Sequence, residues 1–266
     1  MTRYIPDRKI NFAIAGVQKA GTTALARYLD QHNDLYLPPE KELHIFKRNN
    51  ADLAPVEKLI AKRYKHAPPL LPWGEATPIY TYWPDALELM HGHNPDMKLI
   101  ISLRHPVARA YSHWSMETRR GRETETFSHS IREGRSRVEA ANRGVHLVHS
   151  YVERGFYAEQ IRHVLSIFPA EQVFFLRADQ ISADNPILQN LLRFLDVGPI
   201  SFQPIETNVH PSSLPPTSQS LDEDFAYLQQ VFAKDMAQLS KLTALDLDDW
   251  LQGPPAPSGQ NWSAET

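Results

Sequence analysis

GVQKAGTT (residues 16–23) follows the apolar run NFAIAG (residues 11–16) and precedes Leu25, Tyr28, Leu29 and His32, which recur at helical spacing. The segment therefore connects a strand to the N-terminus of a helix. Gly16 and Gly21 keep the spacing of a phosphate-binding loop, in which Gly-Lys-Ser/Thr puts a lysine on the terminal phosphates and a hydroxyl on magnesium. Here Thr22 follows Gly21, and the lysine, Lys19, comes two positions before that glycine. Such a turn still aims backbone N–H groups and the positive end of a helix dipole at one anion. An ordinary strand-to-helix turn with a threonine N-cap has the same local sequence.

Outward from the loop, the apolar pattern keeps switching between strand-like runs and helix-like stripes. KLIISLR (residues 98–104) predicts a strand stopped by His105 and Pro106, with Pro106 suited to the first turn of a helix running through Tyr111 and Trp114. Tyr157, Ile161, Val164, Leu165 and Phe168 predict a helix, QVFFLR (residues 172–177) a strand, and Ile187, Leu188, Leu191, Leu192 and Leu195 a further helix. Phe225, Leu228, Phe232, Met236 and Leu239 place a last helix over about residues 221–240. Alternating units of this kind predict an α/β fold, a single P-loop-like domain with a central parallel sheet flanked by helices, over residues 1–252. Residues 116–144 are highly charged and read as a long, partly helical excursion from the sheet. Residues 203–220 are rich in proline and serine, and residues 253–266 read as a flexible tail.

With 266 residues, 42% of them hydrophobic, the chain can bury a large core. It has no cysteine, which excludes a disulfide framework, thiolate metal ligation and thiol catalysis. No stretch approaches the roughly 20 apolar residues of a spanning helix, and no signal-peptide pattern precedes the first strand. The expectation is a soluble, cytoplasmic protein. A formal net charge of −3 is a poor match for nucleic acid, so any basic site is local. HGH (His91, His93) and HLVH (His146, His149) lack a third ligand and are expected to be surface or core residues, and the RRGR run at residues 119–122 reads as a solvated helix end in preference to a contact for an anionic acceptor.

A second anion-binding feature is compatible with the first. In LRHPVARAYSHW (residues 103–114), Arg104 lies at the carboxyl end of a predicted strand and Ser112 about two turns into the next helix. Ligands of open parallel sheets sit outside the carboxyl strand ends. An arginine there can hold a phosphate bidentately, and a serine hydroxyl adds a hydrogen bond.

Together, KAGTTAL and LRHPVARAYSHW resemble the 5′-phosphosulfate loop and the 3′-phosphate motif of sulfotransferases that use 3′-phosphoadenosine 5′-phosphosulfate (PAPS). The order KAGTTALARYL, KELHIF, GEATPIY, LRHPVARAYS, GFYAEQIRHVLSIFP and VFFLRADQI, over roughly residues 12–195, is similar to the Golgi heparan-sulfate sulfotransferases and their bacterial relatives. PAPS has no γ-phosphate and the family needs no metal, which accounts for the displaced lysine. The resemblance implies that Lys19 reaches the bridging oxygen of the leaving sulfuryl group and that Ala20, Gly21, Thr22 and Thr23 donate to the 5′-phosphate. It assigns Arg104 and Ser112 to the 3′-phosphate, Glu42 to the general base, and His44 to a catalytic or supporting role beside it. The product would be adenosine 3′,5′-bisphosphate (PAP).

The sequence departs from that pattern in places. Ala76 stands where the eukaryotic enzymes carry a lysine, and Arg-His-Pro replaces Arg-Asp-Pro or Arg-Asn-Pro. NVHPSSLPPTSQS, without cysteine, Lys or Arg, replaces a bridged basic loop, leaving Asn208, His210, Ser212 and Ser213 as candidates to cover the adenine. Glu40 lies two residues from Glu42, so either carboxylate fits the base by spacing alone. A P-loop kinase-like phosphotransferase and a non-catalytic nucleotide-binding module are the alternative readings. The expected acceptor is a small molecule or glycan, with a neutral or weakly charged carbohydrate, glycolipid or glycosylated metabolite favoured over a long polysulfated chain, which would demand an extended basic groove.

Overall fold

The computed structural model describes residues 8–47, 55–205 and 219–253, the side chains of residues 219 and 220 excepted. Four strands, β1 (Phe12–Gly16), β2 (Gly74–Ala76), β3 (Lys98–Leu103) and β4 (Val173–Arg177), form one sheet in the order β2-β1-β3-β4. Every neighbouring pair is parallel. The helices are α1 (Thr22–Leu29), α2 (Val56–Arg63), α3 (Ala86–His93), α4 (Pro106–Arg119), α5 (Phe127–Ile131), α6 (Ser136–Glu139), α7 (Tyr157–Ile167), α8 (Pro186–Phe194), α9 (Gln219–Thr243) and α10 (Asp248–Gln252). The architecture is the expected α/β one.

The strand order explains where a ligand belongs. From β1 the chain goes to one side for β2 and to the other for β3. The crevice at the carboxyl end of β1 is therefore the topological switch point of the sheet, and the GVQKAGTT loop begins there. β1 is buried at every position, as a central parallel strand must be. Its neighbour β2 approaches so closely that a Cβ on Gly74 would lie 2.2 Å from the Phe12 ring.

The chain divides into two compact units, residues 1–103 with 162–207, and residues 104–161 with 208–266. The first contains the sheet. Its core joins Phe12, Ile14 and Leu176 of the strands to Leu25 and Leu29 of α1 and Leu188, Leu191 and Leu192 of α8. The second is helical, with Phe127 edge-on to Tyr111 at 5.0 Å and Phe156 against Phe232 at 5.2 Å.

The charged excursion is partly helical, as expected, and it turns much of its charge inward. Glu123 is buried and accepts hydrogen bonds from Arg137, Ser130 and Tyr151. Burial alone would push its pKa up, but the Arg137 hydrogen bond and charge, the Glu125 backbone and Tyr151 outweigh that and hold it near about 2. Arg120 and Arg122 of the RRGR run contact buried Glu117 at 3.5 and 2.7 Å. His93 accepts from the Ile10 backbone N–H at 3.0 Å, and His146 stacks on His149 with centroids 4.5 Å apart. Among the described residues, no three His, Cys, Asp or Glu side chains converge as a metal site, and no helix is long and apolar enough to cross a membrane.

Candidate active site

The loop after β1 is fixed from β3. The Val17 N–H donates to the Ser102 carbonyl at 2.8 Å, and the Ser102 hydroxyl donates to the Ala20 carbonyl at 2.6 Å. Ser102 thus holds the loop at both ends. Gly16 must be small, because a Cβ would meet the Thr81 side chain at 2.9 Å. Lys19 and Gly21 both have left-handed backbone, with φ of 74° and 72°. For Lys19 that conformation is unfavourable, and such strain collects at functional sites. Gly21 itself is the N-cap of α1 and no side chain caps the helix. The threonine N-cap reading is thereby replaced: Thr22 is the first helical residue, and the first-turn amides are presented without a side-chain acceptor.

The carboxyl end of β2 positions the second part of the site. The Glu42 N–H donates to the Ala76 carbonyl at 3.0 Å, and the His44 N–H donates to the Thr77 hydroxyl at 3.3 Å. These two bonds pin KELHIF over the strand end and bring Glu42 and His44 together, with Nε2 to Oε2 at 3.9 Å. Both residues are left-handed, φ 56° and 52°. Burial and then Lys47 lower the His44 pKa, against Glu42, so the ring is neutral near pH 7. Glu42 is half exposed, whereas Glu40 is held by the Arg63 guanidinium at 2.6 Å.

Two residues around this loop escaped the sequence reading. Glu75 of β2 is fully buried and accepts from the Thr77 hydroxyl at 2.5 Å. Desolvation drives its pKa up to about 7, with Glu42 adding to the rise and hydrogen bonds from Thr77, Tyr80 and the Leu43 backbone opposing it. The other is Lys41, whose ammonium donates to the Thr23 hydroxyl at 2.7 Å. Nothing local betrays either role, since each depends on the approach of residues 41–44 to the end of β2.

In the second unit, Arg104 follows the last residue of β3 and stands just before α4, with its carbonyl accepting from the Tyr157 hydroxyl at 2.9 Å. Ser112 is half-buried on α4. Between them, His105 explains the unusual Arg-His-Pro. Its Nδ1 accepts from the Val107 N–H at 3.3 Å, capping α4, while Nε2 lies 3.2 Å from the Trp250 carbonyl. A neutral ring with its proton on Nε2 satisfies both contacts, doing what an aspartate or asparagine cap would do. Burial pushes its pKa down to about 4 despite help from the Trp250 and Gly253 carbonyls. Asn208, His210, Ser212 and Ser213 lie outside the described residues.

The Sulfotransferase domain family model matches residues 9–250. The human heparan sulfate glucosamine 3-O-sulfotransferase 6 is 30% identical over 173 residues, 64% of this chain and 47% of that protein. A Drosophila melanogaster bifunctional heparan sulfate N-deacetylase/N-sulfotransferase is 26% identical over 73% of this chain and 20% of its own length. The chain thus spans about half or less of these curated relatives. Among solved structures, a sulfotransferase from Alicyclobacillus acidocaldarius superposes with a TM-score of 0.76 at 28% identity, over 91% of this chain and 99% of that one.

Proposed function

The chain belongs to the sulfotransferase domain family, and on that premise we propose that it moves a sulfuryl group from PAPS to a hydroxyl or amine of a carbohydrate-type acceptor by in-line displacement. The observation that carries the reading is the loop at the switch point. It offers uncapped first-turn amides to an anion, and its cation is Lys19, inside the loop, rather than a residue after Gly21. That arrangement suits a 5′-phosphosulfate and not a magnesium-bound triphosphate.

On this reading Ala20, Gly21, Thr22 and Thr23 hold the 5′-phosphate, and Lys19 stabilises the charge that develops on the bridging oxygen. Glu42 takes the acceptor proton, an effect worth about 10²–10⁴-fold. Neutral His44 lies beside that carboxylate, with Nε2 3.9 Å from Glu42 Oε2. Arg104 and Ser112 are assigned to the 3′-phosphate, the group that separates PAPS from ordinary adenylates. The relatives act, by name, on heparan sulfate. For this chain, with a net charge of −3, a neutral or weakly charged glycan, glycolipid or glycosylated metabolite is the better match.

Calorimetry tests the donor assignment. PAP should bind far more tightly than ADP, and Arg104→Ala should cost about 1.5–3 kcal/mol of PAP binding. Equal affinity for ADP and PAP would sink the assignment. Incubation with sulfur-labelled PAPS and fractionated glycans, lipids and metabolites would then identify the acceptor by the fraction that gains label.

A further inference from the structure

Lys41 is placed like a working residue. Its ammonium sits on the Thr23 hydroxyl, in the first turn of α1, and Lys41 lines a cleft of about 190 Å³ whose other lining residues include Thr23, Arg27, Asp30, Glu40 and Ala76. Its position is set from both sides. Pro38 and Pro39 stiffen the approach, and Glu42, the next residue, is hydrogen-bonded to Ala76. Burial lowers the Lys41 pKa and outweighs Glu42 and Glu75, which act in the opposite direction. An ammonium has three N–H donors and Thr23 takes one. The Thr23 end of this contact is exposed, so water would serve the threonine equally well. Ala76, which also lines the cleft, contributes no charge.

We propose that Lys41 is a catalytic residue, a second cation that hydrogen-bonds a non-bridging oxygen of the sulfuryl group in flight. The inference rests on the sulfuryl-transfer reading above. In the step, the acceptor O–H bond breaks and its proton passes to Glu42, while the acceptor oxygen forms the new bond to sulfur. The bond from sulfur to the 5′-phosphate oxygen breaks and its electron pair stays on that oxygen. Lys41 neither gains nor loses a proton. It sits beside the oxygens where negative charge is redistributed and strengthens its hydrogen bond as the transition state forms.

PAPS carries the sulfuryl group and PAP does not, so the two ligands separate this role from a structural one without any acceptor. In calorimetry on the full chain, Lys41→Met should weaken PAPS binding by about tenfold or more and change PAP binding by less than about threefold. Lys41→Arg should restore most of the PAPS affinity, and both variants should melt close to the unsubstituted protein. Losses of equal size on PAPS and PAP, or no loss on either, would overturn the proposal while leaving the donor assignment standing. If the unsubstituted protein binds PAP no better than ADP, the donor assignment itself fails, and the role of Lys41 with it.

Discussion

Glu40 and Glu42 are two positions apart in one polar stretch, yet their surroundings differ. Glu40 is ion-paired with Arg63 at 2.6 Å, and Glu42 is half exposed beside a neutral histidine with its backbone pinned to Ala76. Glu42→Gln keeps the shape and removes the basicity, so it should leave PAP affinity within about twofold while lowering turnover roughly 10²-fold or more. Glu40→Gln should leave both nearly unchanged. Steady-state kinetics on the acceptor found by labelling, paired with PAP calorimetry, checks both, and the reverse ranking would move the base to Glu40. Composition could not separate the two carboxylates; the resemblance of KELHIF to a known motif is what favours Glu42. Lys41 was hidden for a related reason. Flanked by two glutamates in PPEKELHIF, it reads as a solvated loop lysine until the fold carries it to Thr23.

Elements were legible to the degree that their burial left a pattern. β1, β3 and β4 are predominantly apolar segments of five or six residues, and each lies within a residue of its expected bounds. β2 has only three residues, one of them a buried glutamate, and no periodicity fits into so short a span. The inward charge network around Glu123 was equally invisible, because a buried ion cluster and a solvated face have the same composition. The strand-to-helix turn was recognised from its glycines, and its geometry is sharper than its sequence. Gly21 holds φ at 72°, and a Cβ there would also come within 3.0 Å of Ile181 Cδ1. Gly21→Ala should therefore destabilise the fold by about 1–3 kcal/mol, the usual cost of a non-glycine residue held in such a conformation. Because the same turn presents the α1 amides, PAP affinity should fall as well. Thermal melting and calorimetry on the one variant measure the two effects, and an unaltered PAP affinity would remove the turn from the binding site.

Across the whole molecule, two buried groups give stability opposite pH dependences. His105 has a folded pKa near 4 against an ordinary value of 6.5, so the unfolded chain binds the extra proton between those values. Its contribution is complete above about pH 6.5 and is lost as the pH falls towards 4, a loss on the order of 2 kcal/mol by pH 5. Glu75 is raised from 4.5 to about 7, so here the folded chain holds the extra proton. Its contribution is complete below about pH 4.5 and is lost as the pH rises through 7, on the order of 3 kcal/mol by that point. Between pH 5 and 7 the two slopes oppose each other, and the unsubstituted protein should show a shallow profile there. Separate substitutions should expose the components. His105→Asn keeps an acceptor for the Val107 N–H without a titrating ring, so relative to the unsubstituted chain it should match at pH 7.5 and gain steadily as the pH drops to 5. Glu75→Gln should do the reverse, gaining as the pH rises from 5 to 7.5. Denaturant unfolding of the three proteins at half-unit pH intervals measures this. Parallel curves would mean that neither group titrates in the folded protein as its surroundings dictate, and they would remove the helix-cap account of the Arg-His-Pro motif together with the raised titration of the buried Glu75 carboxyl.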